Sequence, residues 1–97
     1  MTDIKKANPQ ASPKLFQLDN NSVAAQRRRL LSRLEFGPVD TITARRELNI
    51  LHPAGRIDEL RSQGFNIVTH RVSLTDDQGF KHHGVALYVL HPNREVA

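Results

Sequence analysis

The fold of this chain is decided by DTITARRELNILHPAGRIDELRSQG, residues 40–64. Asp40 or Thr41 can cap a short helix that runs to about Leu48, because both side chains accept hydrogen bonds from the first amides of a helix. The residues expected to face inward are Ile42, Ala44 and Leu48. Two helical turns are barely stable by themselves, so this helix depends on its neighbours.

A tight turn and another short helix complete this stretch. Asn49 tolerates the left-handed conformation that closes a helix, and Ile50 is placed to pack beneath the turn. Pro53 suits the first turn of the next helix, and Gly64 marks its end. One face of that helix carries Ala54, Ile57 and Leu60, whereas the expected outward residues are Gly55, Asp58, Glu59 and Ser62.

A longer helix is predicted upstream, from Ser22 to Glu35. Ser22 offers an N-cap, and Gly37 with Pro38 ends the run. Its apolar residues recur at helical spacing and are Val23, Leu30, Leu31 and Leu34. The same helix carries Arg27, Arg28, Arg29 and Arg33, a cluster that is more often a solvated face than a binding site.

After residue 64 the pattern changes from helix to strand. The chain reads FNIVTHRVSL at 65–74 and FKHHGVALYVL at 80–90, two runs rich in β-branched and aromatic residues. Between them, TDDQG at 75–79 predicts a turn, so the three pieces together predict a hairpin. The predicted core comprises Leu30, Leu34, Leu48, Ile57, Leu60, Val85 and Leu87.

Length and composition limit the possible functions. With 97 residues the chain holds one core, so we expect one domain over 21–91, a flexible arm at 1–20 and a frayed C-terminus at 92–97. Thiolate chemistry is excluded because there is no cysteine, and no apolar run reaches the length of about 18 residues that a membrane span needs. The net charge of +4 lies mainly in residues 22–64 and favours a polyanionic partner. We expect a cytoplasmic protein.

Three helices, the last two joined by a tight turn, and then a hairpin form the element order of an α+β winged helix-turn-helix domain, in which the hairpin is the wing. The most recognisable pieces are TARREL at 43–48, LHPAGRIDELRSQGF at 51–65 and ALYVL at 86–90. With them the chain resembles the small helix-turn-helix domain proteins common in bacteriophages and prophages. The resemblance implies sequence-specific binding of double-stranded DNA, as a regulator or accessory factor of a mobile element, with no enzyme activity and no cofactor.

The candidate DNA-binding residues are those that can serve phosphates or base edges. Arg45 and Arg46 are expected on phosphates, because the first helix of such a pair crosses the DNA backbone. Thr41 is the stronger cap, which leaves Thr43 as the spare hydroxyl. Arg56 can reach a guanine edge or pair with Glu59, and the pattern leaves both open. The full predicted set is Thr43, Arg45, Arg46, His52, Gly55, Arg56, Arg71, Lys81 and His82.

The acidic residues of the third helix would also suit a protein partner, so a docking module is the alternative function.

In the wing, Asp76 and Asp77 argue against deep insertion into a groove. His70 with His82 and His83 gives too few ligands for zinc, so no metal site is expected. We expect a homodimer on two half-sites, because one module of this size covers little DNA.

Overall fold

This computed structural model describes residues 21–92 of the chain. Its elements in chain order are α1 (Val23–Leu34), β1 (Val39–Asp40), α2 (Thr41–Glu47), α3 (Pro53–Ser62), β2 (Asn66–Thr75) and β3 (Lys81–His91). The three helices and the hairpin confirm the predicted α+β order, and the short strand β1 is an addition to it. The predicted arm at 1–20, and the predicted frayed C-terminus apart from Pro92, lie outside the described residues.

The helices begin at the residues that satisfy their first amides. Ser22 is the N-cap of α1, and its hydroxyl accepts a hydrogen bond from the Ala25 amide at 3.1 Å. Of the two candidates at α2, Asp40 is the cap: its Oδ1 accepts from the Thr43 amide at 2.8 Å, while Thr41 is the first helical residue. Both helices thus gain the stabilisation of about 1 kcal/mol that such a cap commonly gives.

The turn between α2 and α3 has the predicted conformation. Asn49 lies in the left-handed region with φ of 57°, and the Ile50 amide donates to the Ala44 carbonyl oxygen at 3.2 Å. Ile50 is fully buried beneath the turn, whereas its neighbour Leu51 is 68% exposed. One aliphatic side chain therefore anchors the connection between the two short helices.

The hairpin forms an antiparallel sheet with β1, in the order β1-β3-β2. Between the pairs Val72–Val85 and Leu74–His82, β2 has one residue and β3 has two, His83 and Gly84. The extra residue is a β-bulge, and Gly84 accommodates it with φ of 66°. A bulge bends its strand and increases the local twist, so it changes the direction of the hairpin tip.

The core lies between the helices and one face of this sheet. It comprises Leu30, Leu34, Val39, Ala44, Ile50, Ile57, Leu60, Ile67, Ala86 and Tyr88. Leu48, which was predicted for the core, is half-buried and packs against it.

The prediction that Val85 and Leu87 belong to the core is wrong, because β3 buries Ala86 and Tyr88 instead. Apolar residues occupy both faces of this strand, so hydrophobicity alone does not give its phase. The phase of β3 follows instead from Asp40. This residue is directly opposite Leu87, and opposed residues lie on the same face of a sheet. Since the Asp40 carboxylate caps α2 outside the core, Leu87 shares its face and Tyr88 faces inward.

A network of charged hydrogen bonds joins α3 to α1. Glu59, which was predicted to face outward, accepts from Arg27 at 2.9 Å and from two nitrogens of Arg56 at 2.8 Å each. Arg56 also donates to Gln26 at 3.3 Å. Hydrogen bonds from Arg56 and then Arg27 hold the pKa of Glu59 below its usual value. The network fixes the side of α3 that lies towards α1.

We expect Ile50→Ala to lower the free energy of unfolding by about 2–5 kcal/mol, because it leaves a cavity beneath the turn. Leu51→Ala is the matched control and should change it by no more than about 0.5 kcal/mol, since Leu51 is mostly exposed. Urea denaturation followed by circular dichroism measures both variants. Equal losses would contradict the role assigned to Ile50.

Candidate nucleic-acid interface

A cleft of about 790 Å³ opens between the two short helices and the hairpin. Its walls come from Thr41, Ile42 and Arg45 of α2, from residues 52–55 at the start of α3, and from parts of β2 and β3. Six of the nine predicted DNA-binding residues line it: Arg45, His52, Gly55, Arg71, Lys81 and His82. The fold therefore brings together residues that are up to 37 positions apart in the chain.

Three basic residues of the cleft, Arg45, Arg71 and Lys81, have no acidic partner within residues 21–92. Arg45 donates through Nε to the Leu51 carbonyl oxygen at 3.2 Å, and Arg71 donates through Nη1 to the Gly84 carbonyl oxygen at 3.3 Å. These bonds orient both guanidinium groups without neutralising them. Lys81 is exposed, and the lining includes no aspartate or glutamate. The cleft therefore keeps its positive charge available to an anion.

Arginines elsewhere in the described chain are mostly used within the protein. Besides the Glu59 network, Arg33 lies 4.0 Å from Glu47 and Arg61 lies 3.3 Å from Asp58. Arg29 donates to the Leu48 carbonyl oxygen at 2.9 Å. The arginine cluster of α1 is thus separate from the cleft, and three of its members bond to other helices or their ends. Sequence alone did not distinguish these structural arginines from the free ones.

The start of α3 lines the cleft with the small residues Ala54 and Gly55. A Cβ atom at Gly55 would meet nothing within 4 Å, so this position is open to a close neighbour. The amides of Gly55 and Arg56 donate to the His52 carbonyl oxygen at 3.1 and 3.4 Å, and Pro53 has no amide proton. In the first turn of α3, the Ala54 amide therefore has no hydrogen-bond partner among the described residues.

Neither Thr41 nor Thr43 has the local role that the sequence predicted for it. The Thr43 hydroxyl donates to Asp40 Oδ2 at 2.8 Å, so it is not the spare hydroxyl. Thr41 makes no cap, because Asp40 already does, and it lines the cleft together with the half-buried Ile42. The physical reason is that one carboxylate can cap an amide and accept from a hydroxyl at the same time. A phosphate contact by Thr43 stays a prediction.

Two predicted arginines already have acidic partners. Arg46 forms an ion pair with Asp77 in the wing turn, and this hydrogen bond raises the pKa of Arg46. The pair links α2 to the tip of the hairpin. Arg56 is held by Glu59 and its side chain is only 16% exposed. The internal pair considered for Arg56 is therefore present, and its contact with a base stays a prediction.

The wing turn is organised by Asp76. Its Oδ1 accepts from the amides of Gln78 and Phe80, both at 2.9 Å, and its Oδ2 lies 2.9 Å from His82 Nε2. The hydrogen bond from His82, followed by that from the Phe80 amide, lowers the pKa of Asp76. Both acids of the tip are thus engaged by groups of the protein itself, which the sequence did not indicate.

Two other kinds of site are absent from residues 21–92. No group of three or more histidine, aspartate or glutamate side chains there is arranged to hold a metal ion. No helix of that range has the length and apolar character to cross a membrane.

The pKa of Asp76 gives a direct test of the wing turn. In an NMR titration, the amide shifts of Gln78 and Phe80 should move together with a midpoint below 3.8, the ordinary value for this carboxyl. His82→Ala should move the midpoint back towards that value, because it removes the largest cause of the shift. Asp76→Asn is the control in which this titration disappears.

The sign of the effect on stability follows from the lowered pKa. The Asp76 carboxylate stabilises the folded state at a pH above its ordinary pKa. This stabilisation is lost as the pH falls through the lower pKa that the group has in the folded protein. A midpoint at or above 3.8 in the wild-type protein would contradict the hydrogen-bonding pattern of the turn.

The comparisons with known proteins agree with this geometry. Residues 25–93, more than two thirds of the chain, match the family described as winged helix-turn-helix domain. The match extends from α1 through β3 and so includes every wall of the cleft. No curated protein and no solved structure gives a match.

Proposed function

Because the chain belongs to the winged helix-turn-helix domain family, and such a domain suggests DNA binding, we propose that it reads duplex DNA sequence-specifically through its cleft. The observation that carries the proposal is the set Arg45, Arg71 and Lys81. These three cations come from three different elements, line one cleft, and have no acidic partner in residues 21–92. DNA presents a row of phosphates that such cations can bind.

The elements of the cleft then have separate roles. The start of α3 approaches the major groove, where the absence of a side chain at Gly55 allows close contact. Arg45 binds a phosphate on the α2 side, while Arg71 and Lys81 bind phosphates on the wing side. Thr41 and His52 add side-chain hydrogen-bond donors near the base edges. Arg46 and Arg56 act indirectly, since they hold the wing and α3 in position.

We extend the proposal to the biological role. The resemblance to small phage and prophage proteins supports a transcriptional regulator or an accessory factor of a mobile element, located with the nucleoid. One domain of this size covers a short stretch of DNA, and specific regulators commonly read two half-sites as a pair. A homodimer on DNA is therefore part of the proposal.

We expect the double variant Arg45→Ala, Arg71→Ala to weaken binding to all duplexes similarly. Two lost phosphate contacts should reduce the slope of log K against log salt by about 1.8. Fluorescence anisotropy between about 50 and 200 mM salt measures both quantities. The charge-matched control is Arg28→Ala, Arg33→Ala, whose residues lie on α1 outside the cleft.

The outcomes separate the possibilities for this surface. Equal losses in the two double variants would show that net charge, and not the cleft, drives binding. If the wild-type protein binds no duplex at the low-salt end, DNA binding is wrong and the protein-docking alternative is favoured. That alternative has its own surface in the exposed part of α3, where the Asp58 side chain is 75% exposed.

A second variant tests the close approach of DNA at α3. Gly55→Leu should weaken binding about tenfold or more, because a leucine side chain would occupy the cleft. Stability should not fall, since leucine favours a helix over glycine by roughly 0.8 kcal/mol. Ser62→Leu, at the exposed end of the same helix, is the control. Unchanged affinity of Gly55→Leu for DNA would remove the start of α3 from the interface.

A further inference from the structure

Phe80 has a fixed backbone and an exposed ring at the tip of the hairpin. Its amide donates to Asp76 Oδ1 at 2.9 Å, and its carbonyl oxygen accepts from the Asp76 amide at 2.8 Å. The side chain is nevertheless exposed, with 64% of the residue's surface accessible. Both polar groups of the backbone are thus engaged in the turn, and the aromatic ring is presented to solvent without a flexible loop.

The position of Phe80 relates it to the cleft. The next residue, Lys81, lines the cleft, and so do His82 and His83. Phe80 therefore lies at the hairpin tip, directly before the part of β3 that lines the cleft. Phe36 is more exposed than Phe80, at 87%, but it follows α1, and neither of its neighbours in sequence lines the cleft. Phe36 can therefore be compared with Phe80 as an exposed phenylalanine that lies away from the cleft.

The acidic residues of the tip do not oppose an approach to DNA as strongly as the sequence suggested. Asp77 is paired with Arg46, and Asp76 is bonded to His82 and to two backbone amides. Each negative charge near the ring therefore has a cationic or hydrogen-bonding partner. Lys81, which follows Phe80, has no acidic partner among the described residues and adds a positive charge.

We propose that Phe80 enters the minor groove of the bound duplex and partly unstacks one base step at the wing end of the site. Apolar side chains that enter the minor groove widen a base step and kink the duplex. Pyrimidine–purine steps such as TA deform at the lowest cost, so the wing would favour them without base-specific hydrogen bonds. This inference rests on the proposed DNA binding and specifies how one part of that surface reads sequence.

The experiment uses the full chain and a duplex selected by the protein from a random pool. Hydroxyl-radical footprinting first locates the minor groove protected by the wing. A 2-aminopurine base is then placed at each step of that groove, because its fluorescence rises when the base is unstacked. The wild-type protein should raise the fluorescence at one step. Phe80→Ala should abolish the rise and weaken binding about tenfold, while Phe80→Leu keeps part of both effects.

Phe36→Ala is the matched control and should bind and unstack as the wild type does. The salt slope should be the same for Phe80→Ala and the wild type, because no phosphate contact is lost. The thermal midpoint of Phe80→Ala should also be unchanged, since the exposed ring contributes little to folding.

Several results would overturn the inference. One is that Phe80→Ala binds the duplex with the same affinity as the wild type and raises the 2-aminopurine fluorescence equally. Another is that Phe80→Ala binds more weakly but still raises the 2-aminopurine fluorescence. A changed salt slope or a lowered thermal midpoint would show that the variant displaces the wing, and would equally count against insertion. If the wild type binds DNA and the Arg45, Arg71 variant weakens it while Phe80→Ala does not, only this inference fails. If the wild type binds no DNA, the proposed function fails with it.

Discussion

The carboxylate of Asp40 joins the sheet to the helices, and much of the remaining structure depends on it. One oxygen caps α2 through the Thr43 amide and the other accepts from the Thr43 hydroxyl. Because Asp40 is also paired with Leu87 in the sheet, its outward direction places Leu87 on the same face and turns Tyr88 into the core. A single polar side chain thus determines where α2 begins and which face of β3 packs against the helices.

The cleft is a consequence of this arrangement. With α2 starting directly at the edge strand, Thr41 and Arg45 lie opposite the bulged part of β3, and the turn anchored by Ile50 adds the start of α3. The cleft keeps its positive charge because nearby carboxylates pair with arginines outside it. Glu59 is used between α1 and α3, and Asp77 is used by Arg46, so these carboxylates are not available to the cleft cations.

The local structure could be predicted from the sequence because it depends on residues that are close in the chain. Ser22, Asn49 and Gly64 mark helix ends through their own hydrogen bonds or backbone angles. The phase of β3 could not be predicted, since VALYVL is apolar on both faces and the decision is made by Asp40, a residue more than forty positions away. When both faces of a strand are equally apolar, the hydrophobic pattern does not indicate which face packs against the core.

The candidate site was predictable to a similar extent. Residue type and the predicted element together indicated Arg45, Arg71 and Lys81, and the structure places them in one cleft. It also indicated Arg46 and Arg56 on the same grounds, although both have carboxylate partners. The partner Asp77 is 31 residues from Arg46, so this pairing required the bent hairpin tip to be known. Whether an arginine is free or neutralised is a property of the tertiary fold.

The unbalanced charge of the cleft also acts at a distance from any contact. An electric field that extends from one side of a small protein orients it while it diffuses, so productive encounters with a polyanion outnumber random ones. Association rates gained in this way fall steeply with ionic strength. For the DNA binding proposed above, such a field would permit weak attachment to any duplex and sliding along it, and so would shorten the search for a specific sequence.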